Sequence, residues 1–201
     1  MLQTKRLVKE IHDLQTHSLP PDVLIKESDN ISNLKFYLLG PPSTPFEAGA
    51  FLLALELQQD YPSQPPKATF LTKIFHPNVS KFGEVCVNVL KQDWNPSLNI
   101  SHVLSTIRCL LIEPNAESAL NDDAGKLILE DYAQYVQRAR VMTNIHAIRP
   151  EEAYIDCGQQ PTTTPCGKDQ GPSPNVLQTA TINTTPAHAQ MKSKKKGLRR
   201  L

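Results

Sequence analysis

Residues 75–94 read Phe75-His76-Pro77-Asn78-Val79-Ser80-Lys81-Phe82-Gly83-Glu84-Val85-Cys86-Val87-Asn88-Val89-Leu90-Lys91-Gln92-Asp93-Trp94. An imidazole, a proline and an amide stand together near the start, Gly83 marks a short turn, and Cys86 follows between two valines. Taken alone, a cysteine in that setting is more often a small buried hydrophobe than a nucleophile. The stretch also divides the chain by period. Strand-like segments precede it and helical spacing follows it.

Toward the N-terminus the strand-like segments are Lys67 to Thr72, Ala50 to Gln58, Leu34 to Leu39 and Val23 to Glu27. In the segment from Ala50, the residues Phe51, Leu53, Leu55 and Leu57 alternate with smaller or polar ones, as a sheet with one buried face requires. Gly40, Pro41, Pro42 and Gly49 punctuate one gap, and Pro62, Pro65 and Pro66 another. Connections this short join antiparallel neighbours, because a parallel crossover needs about a dozen residues or more. The pattern predicts a four-stranded antiparallel meander. Before it, Leu7, Val8, Ile11 and Leu14 recur at helical spacing, which predicts an N-terminal helix over Leu2 to Gln15, ended by Pro20 and Pro21.

Toward the C-terminus, Ile100, Val103, Leu104, Ile107, Leu110 and Leu111 form the stripe of a central core helix, with Asn99 placed to cap it and Pro114 to stop it. Two C-terminal helices follow. One lies near Leu120 to Glu130, and the other presents Tyr132, Tyr135, Val136, Ala139, Met142 and Ile145. Packed on one face of the sheet, these elements make an α+β domain over residues 1–147.

Beyond Ile148 the periodicity disappears into a segment rich in Thr, Pro, Gln and Asn, so residues 148–201 are expected to be a disordered tail. Residues 150–201 hold 7 of the 21 basic side chains and only 4 of the 20 acidic ones, so they face a different partner from the rest. Lys192, Lys194, Lys195, Lys196, Arg199 and Arg200 concentrate that charge near residue 201. No stacking aromatics accompany it, which argues against nucleic acid as the partner. No run approaches the roughly 18 apolar residues of a membrane span, and the first ten residues lack the apolar core of a secretory signal. An intracellular protein is expected, cytoplasmic and nuclear. None of the 4 cysteines forms a Cys-x-x-Cys pair, so reduced thiols are expected, with no metal and no other cofactor.

The order Tyr61-Pro62-x-x-Pro65-Pro66, His76-Pro77-Asn78, Cys86 and Trp94, at these spacings, resembles the ubiquitin-conjugating enzymes. The first helix, the strand order and the Pro114-Asn115 turn agree with that fold over residues 1–147. The runs Phe70 to Val79, Cys86 to Lys91 and Glu117 to Asn121, with Leu198-Arg199-Arg200-Leu201, resemble the branch that extends ubiquitin chains with the anaphase-promoting complex. Ala116 stands where that branch has proline. The resemblance implies that the activating enzyme passes ubiquitin to Cys86 as a thioester, which a lysine amine then attacks. The thiol serves first as nucleophile and then as leaving group.

The acyl group arrives activated, so no catalytic relay is needed. His76, with Pro77, is read as fixing the turn rather than as a general base. For Asn78 two readings stand side by side: its amide donates to the oxyanion, or it pins the active-site loop. Gly83 permits a special backbone conformation near the nucleophile or is a plain turn glycine. Trp94 is read as packing. The resemblance places Asn95, Pro96 and Ser97 in a loop that meets ligases, and Ser63 where several relatives expose a Phe.

Asn88 and Ser118 occupy positions where several relatives carry acidic residues beside the thioester. An acceptor bringing its own carboxylate would replace them, and ubiquitin pairs one with its lysine eleven. Asp122 and Asp123 either position that acceptor or stabilise a helix N-terminus. Lys91 is a candidate for self-modification, since an amine tethered near a thioester has a high effective concentration. Leu198, Arg199, Arg200 and Leu201 are candidates for docking to the ligase, whereas the lysines before them also fit a nuclear-targeting signal or a solvated charge run. Competing readings are a conjugating enzyme for another ubiquitin-like modifier, one of different linkage, a silent interaction module, and a cysteine hydrolase. The last lacks a third group to orient His76.

Overall fold

The computed structural model describes residues 2–16, 19–28, 30–86, 90 and 94–159. Within them α1 spans Leu2–Thr16, β1 Val23–Lys26, β2 Asn33–Leu39, β3 Ala50–Glu56 and β4 Lys67–Phe70. After these come α2 (Ile100–Ile112), a 3-10 turn (Ala116–Ser118), α3 (Asp122–Glu130), α4 (Tyr132–His146) and α5 (Pro150–Asp156). The sheet runs in the order β1-β2-β3-β4 with every pair antiparallel. The meander expected from the short connections is the one observed.

Alternation along the strands sorts the side chains onto two faces. Phe36, Leu53 and Phe70 lie opposite one another across β2, β3 and β4, and Leu38 and Phe51 pair beside them. All five are buried in the main core with Ile100, Val103, Leu104, Ile107 and Leu111 of α2 and with Tyr135 and Ala139 of α4. Each such side chain contributes roughly 1.5–3 kcal/mol by leaving water, so one face of the sheet and the α2 stripe are bound to meet. Asn99 caps α2 by accepting the backbone N–H of His102 at 3.0 Å, as its position before the stripe predicts.

The opposite face corrects the sequence reading. Leu24, Tyr37 and Ala50 form a second buried cluster with Ala153, and Leu39, Leu52, Ile148, Tyr154 and Cys157 pack against it. The cover is α5, a third C-terminal helix inside the stretch 148–201 that was expected to be disordered. Its seven residues are too few to display a helical period. It is held from outside: Asp156 accepts hydrogen bonds from the Lys26 ammonium and, at 2.7 Å, from the Tyr37 hydroxyl. The rest of the expected tail, from residue 160, lies outside the described residues.

Those two donors hold the Asp156 carboxyl below the usual carboxylate range, with Lys26 the larger cause. The latch is thus complete at neutral pH and is lost as the pH falls through that lowered value. Replacing Asp156 by Ala should cost at most about 1 kcal/mol of global stability, the usual worth of an exposed ion pair. It should nevertheless speed amide exchange at Cys157, whose N–H is bonded to the Ala153 carbonyl at 3.0 Å. Hydrogen exchange read at neutral and acidic pH checks both statements, with Asp156→Ala losing the pH dependence.

Candidate active site

Cys86 is placed by its backbone before its side chain has any part. Its N–H donates to the Asn78 carbonyl at 2.9 Å, and the preceding Val85 N–H donates to Ala68 of β4 at 3.0 Å. The segment reaches that position through a turn at Ser80 to Gly83, where Gly83 N–H bonds the Ser80 carbonyl. Gly83 has φ +90°, and a Cβ there would lie 2.1 Å from the Phe70 carbonyl oxygen. Both the left-handed backbone and the close approach to β4 therefore demand glycine. Of the two readings of Gly83, the special conformation is the one present.

His76 is 1% exposed, and both ring nitrogens are engaged. Nδ1 accepts the backbone N–H of Asn78 at 3.0 Å, so the proton sits on Nε2, which lies 2.8 Å from the Leu110 carbonyl of α2 and donates to it. Burial pushes the imidazole down from 6.5 to about 4, against a smaller opposing effect of the Leu110 carbonyl. A neutral ring with no free nitrogen is a brace, not a proton shuttle. Pro77 braces the same region through its carbonyl, which accepts from Leu120 at 2.8 Å and Asn121 at 3.0 Å.

The Asn78 side chain is equally committed. Its Nδ2 donates to the carbonyls of Asn115 and Ser118 at 2.6 and 3.0 Å, and its Oδ1 accepts the Asn115 N–H at 2.9 Å. Two carbonyls can only accept, so the amide has one orientation. Both of its hydrogens are used by the 3-10 turn and neither is left for an oxyanion. The geometry is that of a loop pin. Asn115 completes the arrangement by accepting the N–H groups of Glu117 and Ser118 at 3.0 and 3.3 Å. Sequence reasoning saw Asn115 only as part of a turn; its signal is an Asx turn directly after Pro114.

Beyond the pinned turn, Asn121 caps α3 through Ala124 N–H at 3.2 Å, and Asp122 and Asp123 stand exposed in its first turn. Asp123 lies 3.7 Å from Arg138, whose guanidinium rests 4.5 Å above the Phe75 ring. Asp123 thus has one charged partner, Arg138 of α4. Asn88 and Lys91 lie outside the described residues, as do Leu198, Arg199, Arg200 and Leu201. Trp94 packs on Tyr61 with its indole N–H bonded to the Pro62 carbonyl at 3.0 Å. Cys109 lies in α2 as its sequence position implies, but on the exposed side of the helix, whereas Cys86 is buried. What sets Cys86 apart from Cys109 is its backbone bond to the Asn78 carbonyl.

A buried imidazole held at about 4 makes stability depend on pH with a definite sign. The folded state holds the ring neutral, so the contribution is complete above about 6.5 and declines as the pH falls toward about 4, by on the order of 3 kcal/mol. Urea unfolding followed by Trp94 fluorescence across that window should show the decline, and His76→Gln should remove that part of it.

Comparison with known proteins agrees with this geometry. The family model described as ubiquitin-conjugating enzyme matches residues 6–143. Ubiquitin-conjugating enzyme E2 S of Drosophila virilis is 54% identical over 146 residues, covering 71% of this chain and 69% of its own. The protein of the same name in Drosophila mojavensis is 50% identical over 172 residues, 84% of this chain and 78% of its own. That of Dictyostelium discoideum is 51% identical over 146 residues, 73% and 68%. A crystal structure from Plasmodium yoelii, of a chain assigned as a ubiquitin conjugating enzyme, has a TM-score of 0.67 at 35% identity and covers 74% of this chain and 97% of that one. With the sheet, the core helix and the braced cysteine turn all in place, the chain belongs to the ubiquitin-conjugating enzyme family.

Proposed function

We propose that this enzyme carries ubiquitin as a thioester on Cys86 and elongates chains through lysine eleven of ubiquitin, together with the anaphase-promoting complex, in the cytoplasm and nucleus. The observation that carries the reading is the commitment of the polar side chains beside Cys86. His76 has no free nitrogen and Asn78 no free amide hydrogen, and Ser118 offers a hydroxyl where an acid would serve as base. An attacking lysine must shed a proton before its nitrogen can bond to the thioester carbonyl. An acceptor with a carboxylate beside that lysine takes the proton itself, the new C–N bond forms, and the C–S bond breaks to return the thiolate of Cys86.

Asp122 and Asp123 support the same reading. They present negative charge in the first turn of a helix whose entry, Leu120 and Asn121, is bonded to the Pro77 carbonyl, and such charge would hold the basic face of an acceptor. Resemblance to the chain-extending branch, whose name the similar Drosophila and Dictyostelium proteins carry, supplies the ligase. Leu198, Arg199, Arg200 and Leu201 would dock to it, and Lys91 would be modified by the enzyme's own thioester.

Incubation with activating enzyme, ATP and ubiquitin, read on a non-reducing gel, should give a reducible adduct on the wild type, an oxyester on Cys86→Ser and nothing on Cys86→Ala. An adduct on the exposed Cys109 in Cys86→Ala would refute the assignment.

Adding the anaphase-promoting complex and reading linkages by mass spectrometry tests the rest. Lysine-eleven linkages should dominate, Asp122→Lys should slow extension roughly tenfold while charging is unaffected, and deletion of residues 198–201 should abolish ligase-stimulated extension alone. Mixed linkages would overturn the chain-type assignment. Full extension by the truncated protein would overturn the docking assignment.

A further inference from the structure

We propose that Phe82 and Leu71, with Lys81 beside them, form a docking patch for an acceptor protein that offers an apolar side chain flanked by carboxylates and its target lysine a few residues away. The proposal rests on the reading that Cys86 carries the thioester. Thr69 of β4 and Glu84 are bridged antiparallel, and the Phe70 N–H donates to the Gly83 carbonyl at 2.8 Å. Leu71 directly follows Phe70 and Phe82 directly precedes Gly83, so this bond brings together two exposed apolar residues. Phe82 is 74% exposed and Leu71 52%. Lys81 holds its ammonium 5.1 Å from the centre of the Phe82 ring. Among the described residues Lys81 forms no ion pair, and the Glu84 carboxylate near it is taken by Lys67 at 3.1 Å.

Single exposed apolar residues are ordinary on protein surfaces, but Phe82 stands on a turn that is already fixed. The Ser80 hydroxyl accepts the N–H groups of Phe82 and Glu84, both at 3.2 Å. The Ser80 N–H donates to the Glu84 carbonyl, and the Gly83 N–H to the Ser80 carbonyl, both at 2.9 Å. Those bonds call for Ser80 and Gly83, and none calls for phenylalanine at 82, in a turn where small polar residues are the usual choice. An aromatic ring on an ordered backbone binds at low entropic cost and is a hot-spot type of contact. The same turn leads to the nucleophile, since Val79 and Val85 are bridged and the Cys86 N–H is bonded to the Asn78 carbonyl. The step from Phe82 to Cys86 spans at most about 13 Å, at roughly 3.3 Å per residue, so a lysine about four residues from the docked side chain reaches the thioester. Charge selects the partner. Lys81 favours carboxylates, would oppose its own copy in a symmetric self-contact, and repels the basic face that Asp122 and Asp123 are read as holding. An acidic, apolar segment of a protein other than ubiquitin fits the patch.

The test uses the full chain and a fluorescein-labelled peptide in which leucine stands between two aspartates and the only lysine follows four residues later. Anisotropy with the uncharged protein reads docking. Discharge from protein charged to completion, after the activating enzyme is removed, reads transfer to the same peptide. Phe82→Ser and Lys81→Glu should each raise Kd and KM for the peptide about five- to tenfold, with kcat held within about twofold. Replacing the peptide's leucine by serine should do the same to the wild type. Moving the lysine next to the leucine should slow transfer about tenfold while Kd is kept. An unaltered Kd in Phe82→Ser, or equal binding of the serine peptide, would overturn the patch while the thioester reading stands. A single-stranded oligonucleotide that binds more tightly than the peptide and is released by Phe82→Ser would overturn it as well. Wild-type protein that takes up no ubiquitin on Cys86 would overturn both.

Discussion

A neutral imidazole and an amide, both buried in the first turn after the sheet, set the terms for the rest of this molecule. Burying such groups is costly unless each polar atom finds a partner, and the partners of His76, Pro77 and Asn78 come from distant segments. Leu110 belongs to α2, Asn115 and Ser118 to the 3-10 turn, and Leu120 and Asn121 to the entry of α3. Satisfying these three consecutive residues therefore folds the C-terminal half of the domain onto the sheet. Cys86 follows from the same arrangement, since its backbone N–H is bonded to the carbonyl of Asn78.

That economy has a consequence for the chemistry. Groups that serve as braces cannot also serve as acid, base or oxyanion donor, because their hydrogens and lone pairs are already assigned. The ring nitrogens of His76 and the amide hydrogens of Asn78 are already bonded within the turn that carries Cys86.

The periphery follows the same rule with weaker interactions. The outer sheet face is closed by α5 through a single carboxylate shared by Lys26 and Tyr37, while α1 is joined to the Trp94 to Ile100 loop through the Glu10 carboxylate and the Arg6 guanidinium. In both places a charged side chain crosses between elements that also share apolar contacts, through Ala153 of α5 and Leu14 of α1. Such joints fix geometry without adding much to global stability.

Period and spacing in the sequence determined the four strands, the core helix with its Asn99 cap, and the candidacy of Cys86 through its distance from His76-Pro77-Asn78 and from Trp94. These are local properties: alternation along β3 and the stripe from Ile100 to Leu111 are legible wherever they occur. Tertiary structure alone decided the hydrogen bonds of Asn78, because whether an amide is free depends on carbonyls 37 and 40 residues further along. It alone produced α5, whose short run carries no period and whose anchor to Tyr37 lies 119 residues away. It also placed Cys109 toward solvent and Cys86 inside. Helical spacing states which residues share an element, but what packs against each side of it, and so which thiol or amide stays available, is settled only when distant segments compete for the same buried partners.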